Sequence, residues 1–173
     1  PWDDTSLCGK TFAEQSVFQI NHGPNRNPLI KHLSKEDIEV LEVIIECETI
    51  QRQWANEHNY QVLNPENWML EILSAQILWY KPDVVYASTL GTFPLSLWKE
   101  LKQKLGKSTK WICYYGTKSE NIDVDFGEYD VVLTGFKSNL TDLNQAGIKS
   151  VFFPHYFDYD FSQEALKISE EDI

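Results

Sequence analysis

Between Asn64 and Phe153 the chain alternates helix-length segments with short β-branched or aromatic runs, and no two-residue hairpin signal such as Asn-Gly separates the runs. Asn64 can cap a helix, Pro65 suits its first position and Glu66 complements its dipole. That helix carries Leu70, Leu73, Ile77 and Tyr80 and must stop before Pro82. Val84–Ala87 follows as a short buried strand, and a helix with Leu97, Leu101 and Leu105 closes at Gly106. Lys110–Tyr115 and Val131–Leu133 are further strands. A helix through Leu140 and Leu143 ends at Gly147, and Ser150–Phe153 is the last strand. Parallel strands need crossover helices, so this order predicts a mainly parallel sheet with helices on both faces, a doubly wound α/β domain.

The front of the chain is less regular. Phe12, Val17, Phe18 and Ile20 fit a short helix, His22-Gly23-Pro24-Asn25 reads as a turn, and Asn27-Pro28 opens a helix that reaches Lys35. Ile38 to Ile45 is a β-branched run that predicts a first strand over 38–45. Cys47, Ile50 and Trp54 then recur at helical spacing up to the polar stretch Asn56–Asn59. The other strands are expected near 83–87, 110–115, 130–134 and 149–153.

With 173 residues the chain can bury a core without staples. Fifteen Lys and Arg against 26 Asp and Glu give a net charge of −11, which repels phosphate backbones and argues against nucleic acid as a partner. No apolar stretch approaches the roughly 20 residues of a membrane span, and no signal peptide is visible, which predicts a cytoplasmic protein. Three widely spaced cysteines, Cys8, Cys47 and Cys113, form no Cys-x-x-Cys pair and fit a reducing compartment.

In a parallel sheet ligands bind beyond the carboxyl ends of the strands. There Thr89-Leu90-Gly91-Thr92 and Tyr115-Gly116-Thr117 offer hydroxyls and accessible backbone N–H groups suited to a sugar or a carboxylate. His155, just past the last strand, could accept a hydroxyl proton as a neutral imidazole, and His22 could do so from the N-terminal loop. No G-x-G-x-x-G or Walker sequence occurs, so no self-contained nucleotide site is expected. The alternately spaced pairs Asp123 with Asp125 and Asp158 with Asp160 read as solvated charge, and no metal or other cofactor is predicted.

Four stretches in order carry a family resemblance. They are Glu48–Glu57 with its Gln-Trp-Ala core, Lys81-Pro82-Asp83-Val84-Val85-Tyr86, Glu128–Thr134, and Gly147–Asp158 with its Pro154-His155-Tyr156-Phe157-Asp158 exit. In these the chain resembles the N-terminal, Rossmann-like lobe of GT-B glycosyltransferases of the spore-maturation type. The resemblance implies a two-lobed enzyme in which this lobe, residues 1–159, holds a glycan or other acceptor. A C-terminal lobe would hold most of the nucleotide-sugar donor, and the acidic residues 160–173 would lead towards it. Thr89, Gly91, Tyr115, Gly116 and Thr117 would bind substrate and His155 would act in catalysis. The chain begins at Pro1 without an initiator Met, which fits a piece of a longer protein, inactive by itself. A binding module that kept the fold without catalysis is one alternative. A receiver-like signalling domain is another, although its acidic residues at strand ends are replaced here by Ser88, Tyr115 and Thr134.

Overall fold

The computed structural model describes residues 7–22, 28–88, 93–106, 108–117 and 125–154. The chain divides between Lys81 and Pro82 into two compact units.

In the first unit, α1 (Phe12–His22), α2 (Pro28–Lys35), α3 (Glu48–Glu57), a 3-10 turn (Pro65–Asn67) and α4 (Trp68–Tyr80) follow one another. Thr11 and Glu14 form a reciprocal capping box at the start of α1. The Glu14 carboxylate accepts from Thr11 N at 2.8 Å, and Thr11 Oγ1 accepts from Glu14 N at 3.3 Å. Phe12 N then donates to Glu57 Oε1 at 2.7 Å, which ties α1 to α3. The core joins Trp54 and Ala55 of α3 to Ile72 of α4, with Phe12, Tyr60, Val62 and Trp68 packed around them. Asn64 caps as the sequence predicts, accepting from Glu66 N at 3.0 Å, but its cap opens the 3-10 turn rather than α4 itself. Lys81 takes a left-handed φ of 50° and ends α4, one residue before the Pro82 that forbids continuation.

The strand expected over 38–45 is not formed. Residues 38–44 pair with no other strand among the described residues. Glu39, Glu42 and Glu46 interrupt the β-branched run. The Ile44 carbonyl is instead engaged by Cys47 N and by Gln51 Nε2, both at 3.1 Å, and so serves the entry to α3.

The second unit is an α/β sheet of four parallel strands, β1 (Val84–Ala87), β2 (Lys110–Tyr115), β3 (Val131–Thr134) and β4 (Ser150–Phe152), flanked by helices α5 (Leu95–Leu105) and α6 (Lys137–Gln145). The chain therefore adopts the Rossmann-like α/β class that the alternation predicts. The strands lie in chain order, β1-β2-β3-β4. α5 and α6 pack on the sheet face that presents Trp111, Cys113, Tyr115 and Val132. Trp98 of α5 meets Trp111 at 5.2 Å between ring centroids, and Leu143 of α6 joins the core of Cys113, Tyr115, Phe126 and Val132. Trp98 Nε1 also donates to Tyr129 Oη at 2.7 Å, satisfying the one polar atom of a buried indole.

The two Asp residues at strand entries are structural. The Asp83 carbonyl accepts from Lys110 N at 2.8 Å, and the Asp130 carboxylate accepts from Trp111 N at 2.8 Å, so each sets the register of a neighbouring strand. β1 is less buried than its apolar sequence suggests. It is the sheet's first strand, and Val84 and Tyr86 are exposed on the face away from α5 and α6, as is Val151 of β4.

Candidate functional site

The carboxyl ends of β2, β3 and β4 are level, because Tyr115 pairs with Thr134 and Thr134 with Phe152. The chain leaves these positions through Gly116-Thr117, Gly135-Phe136 and Phe153-Pro154. Phe153 N donates to Thr134 O at 2.8 Å and extends the pairing one step past β4. Thr134 is fully buried, and its Oγ1 accepts from Phe136 N at 3.3 Å, which shapes the tight passage from β3 into α6.

The N-cap residue of α6, Phe136, makes no side-chain cap bond. The helix's first intrahelical bond runs from Leu140 N to the Phe136 carbonyl at 3.1 Å, so the N–H groups of Lys137, Ser138 and Asn139 have no carbonyl within the helix. With the positive end of the helix dipole and the exposed Lys137, this makes the edge rich in donors. Asn139 lies in the same turn and is fully buried. Its Nδ2 donates to the Thr117 carbonyl at 2.7 Å, clamping the loop after β2 to the first turn of α6, while its Oδ1 has no partner among the described residues.

Of the residues singled out from the sequence, Gly116 and Thr117 stand at this edge. A Cβ on Gly116 would lie 2.6 Å from Tyr114 Cε1, so the Tyr114 ring crosses over it and leaves no room for a side chain. Thr117 is exposed, and its carbonyl is held by the clamp. Tyr115 differs from expectation. Its ring is 7% exposed and packs edge-on against Phe126 at 5.5 Å, so only its backbone reaches the edge. The reason is strand alternation: at the end of β2 the odd positions face the helices, and Tyr114 takes the other face, where its ring meets Phe153 at 6.4 Å. Thr89, Gly91 and His155 lie outside the described residues, as do Asp123, Asp158, Asp160 and residues 160–173; nothing is described of the His22 side chain.

Asn139 is the residue that sequence reading missed. A short polar side chain in the first turn of a helix directly after a strand was the available signal, because such residues bond to backbone in preference to supporting a helix interior.

Burial pushes the Cys113 thiol up to about 12, so it is a neutral core group and not a nucleophile. Burial likewise raises Tyr129, opposed by the bond from Trp98. Among the described residues no group of three or more His, Cys, Asp or Glu side chains converges, and no helix is long and apolar enough to cross a membrane. Among the described residues the edge thus offers the exposed Thr117 and Lys137 beside the backbone N–H groups that open α6. Compared with protein-family models, curated proteins and solved structures, the chain finds no match.

Proposed function

We propose that this chain is the acceptor-side lobe of a nucleotide-sugar-dependent glycosyltransferase. The observation that carries the reading is the convergence of Gly116-Thr117, the Thr134–Phe136 turn and the first turn of α6 at the carboxyl edge of an all-parallel sheet. This is where such sheets bind ligands. Backbone N–H groups and hydroxyls match the hydroxyls of a glycan acceptor, and the Tyr114 ring that covers Gly116 adds an aromatic surface beside them. In this reading Gly116 and Thr117, with Thr89 and Gly91, hold the acceptor, and Tyr115 contributes backbone only. His155 takes the proton of the attacking hydroxyl, and a nucleotide-holding lobe presents the donor sugar. Holding both reactants in near-attack geometry supplies about 7–11 kcal/mol of the barrier, so residues 1–173 by themselves should show no turnover.

The test is an immobilised-glycan array probed with the full chain, beside calorimetry with nucleotide sugars. Retention on a subset of glycans is expected, abolished by Thr117→Trp, which fills the edge without touching the buried carbonyl clamp. Nucleotide sugars should show no micromolar binding. Micromolar nucleotide-sugar binding with product formation by this chain alone, or the absence of any glycan whose retention falls on Thr117→Trp, would refute the assignment.

A further inference from the structure

The C-terminal end of α3 builds a second concave feature, wholly within the first unit. Tyr60 N donates to the Ala55 carbonyl at 2.8 Å and Asn59 N to the Asn56 carbonyl at 3.2 Å, the paired bonds of a Schellman motif. Asn59 takes the left-handed conformation that this motif requires, with φ 52°. The chain therefore doubles back, and Tyr60-Gln61-Val62 runs beside the outward face of α3. Between them opens a groove of about 510 Å³, lined by Arg52, Asn56 and Asn59 on the helix side and by Tyr60 and Gln61 on the returning segment. That volume lies in the range of roughly 300–1,000 Å³ typical of small-ligand sites.

We propose that this groove binds a neutral oligosaccharide. Three exposed carboxamides, Asn56, Asn59 and Gln61, line it, and none is engaged by another side chain or backbone group among the described residues. A carboxamide both donates and accepts, as a sugar hydroxyl does, so three in one groove match a polyhydroxyl ligand without any charge requirement. The single charge in the lining is already balanced, because Arg52 Nε is paired with Glu48 Oε1 at 2.6 Å. A chain of net charge −11 also disfavours polyphosphate and polysulfate ligands. A peptide would need pockets for side chains, and here the apolar part is only the small floor of Ala55 and Val62. The half-buried Tyr60, whose ring lies 6.4 Å from that of Trp54, is the aromatic residue of the lining. The site lies wholly within the first unit and does not depend on the transferase reading.

The experiment is a titration of the full, isotope-labelled chain with maltohexaose, cellohexaose and chitohexaose, followed by amide correlation spectra, with heparin hexasaccharide as charged comparator. At least one neutral hexasaccharide should give saturable shifts at roughly millimolar concentration in the side-chain amides of Asn56, Asn59 and Gln61. Asn56→Ala with Gln61→Ala should weaken that binding about tenfold or more. Asn59→Gly removes the third carboxamide while keeping the left-handed turn, so a loss of binding there with an unchanged spectrum elsewhere reports contact and not unfolding. No shift from any neutral hexasaccharide, shifts confined to residues 115–139, or a stronger response to heparin would overturn the proposal.

Discussion

Asn139→Asp tests the clamp that shapes the sheet edge. The substitution preserves the shape of the side chain but replaces the donor Nδ2 with an acceptor, 2.7 Å from the Thr117 carbonyl, at a position with no exposure. The lost hydrogen bond costs about 1 kcal/mol. Burying a carboxylate against a carbonyl adds several kcal/mol of desolvation, and the positive end of α6 returns ~0.3–1, at most ~2 kcal/mol. The expected net loss at pH 7 is about 2–4 kcal/mol. Its pH dependence follows from the sign of the change. The new carboxyl would titrate higher in the folded than in the unfolded chain, so the penalty is absent when it is protonated in both states. The penalty then grows as pH rises past the ordinary Asp value of about 4. Asn139→Ala should be far milder, within about 1 kcal/mol of the parent, because it also removes the buried Oδ1 that has no partner among the described residues. Urea midpoints at pH 4 and pH 7, followed by tryptophan fluorescence with Trp98 and Trp111 in this unit, measure both variants. An Asp variant as stable as the parent at pH 7, or one more destabilised at pH 4 than at pH 7, would show that the buried clamp is not made.

Gly116→Ala should destabilise by about 1–3 kcal/mol, since its Cβ meets the Tyr114 ring at 2.6 Å, and Tyr114→Ala in the same chain should relieve most of that loss in a double-mutant cycle. A similar cycle on Trp98→Phe and Tyr129→Phe should return a coupling of about 0.5–1.5 kcal/mol for the 2.7 Å bond; zero coupling would mean that the indole N–H is satisfied elsewhere. Cys113, Tyr129 and Tyr80 are all raised in the folded chain, so their contribution is present at neutral pH and lost as pH rises. For Cys113 the loss runs from pH 9 towards about 12 and amounts to about 4 kcal/mol at most, so thermal midpoints should fall steeply above pH 9. In the native protein a disulfide reagent should label the exposed Cys8 and reach the buried Cys113 only after unfolding.

Much of the local structure was written in residue order. Pro28, Asn64-Pro65, Gly106 and Gly147 each act within a few residues of themselves, through a preset φ, a side-chain cap or a left-handed φ, so the helix limits they imply are found near those positions. The parallel pairing of 84–87, 110–115, 131–134 and 150–152 follows from strands separated by crossover-length segments, which leave no hairpin alternative. The same local signals misled at 38–45, where β-branched composition indicates a strand but a strand exists only where a neighbour pairs with it.

The candidate site was legible as a place and not as a set of side chains. The carboxyl ends of the strands could be named in advance, because that edge is common to parallel sheets. Which side chain faces it depends on strand parity relative to the helices, and a one-residue step exchanges Tyr115 for Tyr114. The Asn139–Thr117 clamp spans 22 positions, the Trp98–Tyr129 bond 31 and the Phe12–Glu57 bond 45. Sequence by itself determined the helices and the four parallel strands of 84–152, since those rest on dihedral preferences and apolar period over a few residues. Tertiary structure alone decided the unpaired 38–44 segment and the burial of Tyr115, because each depends on which distant surface the chain meets when it packs.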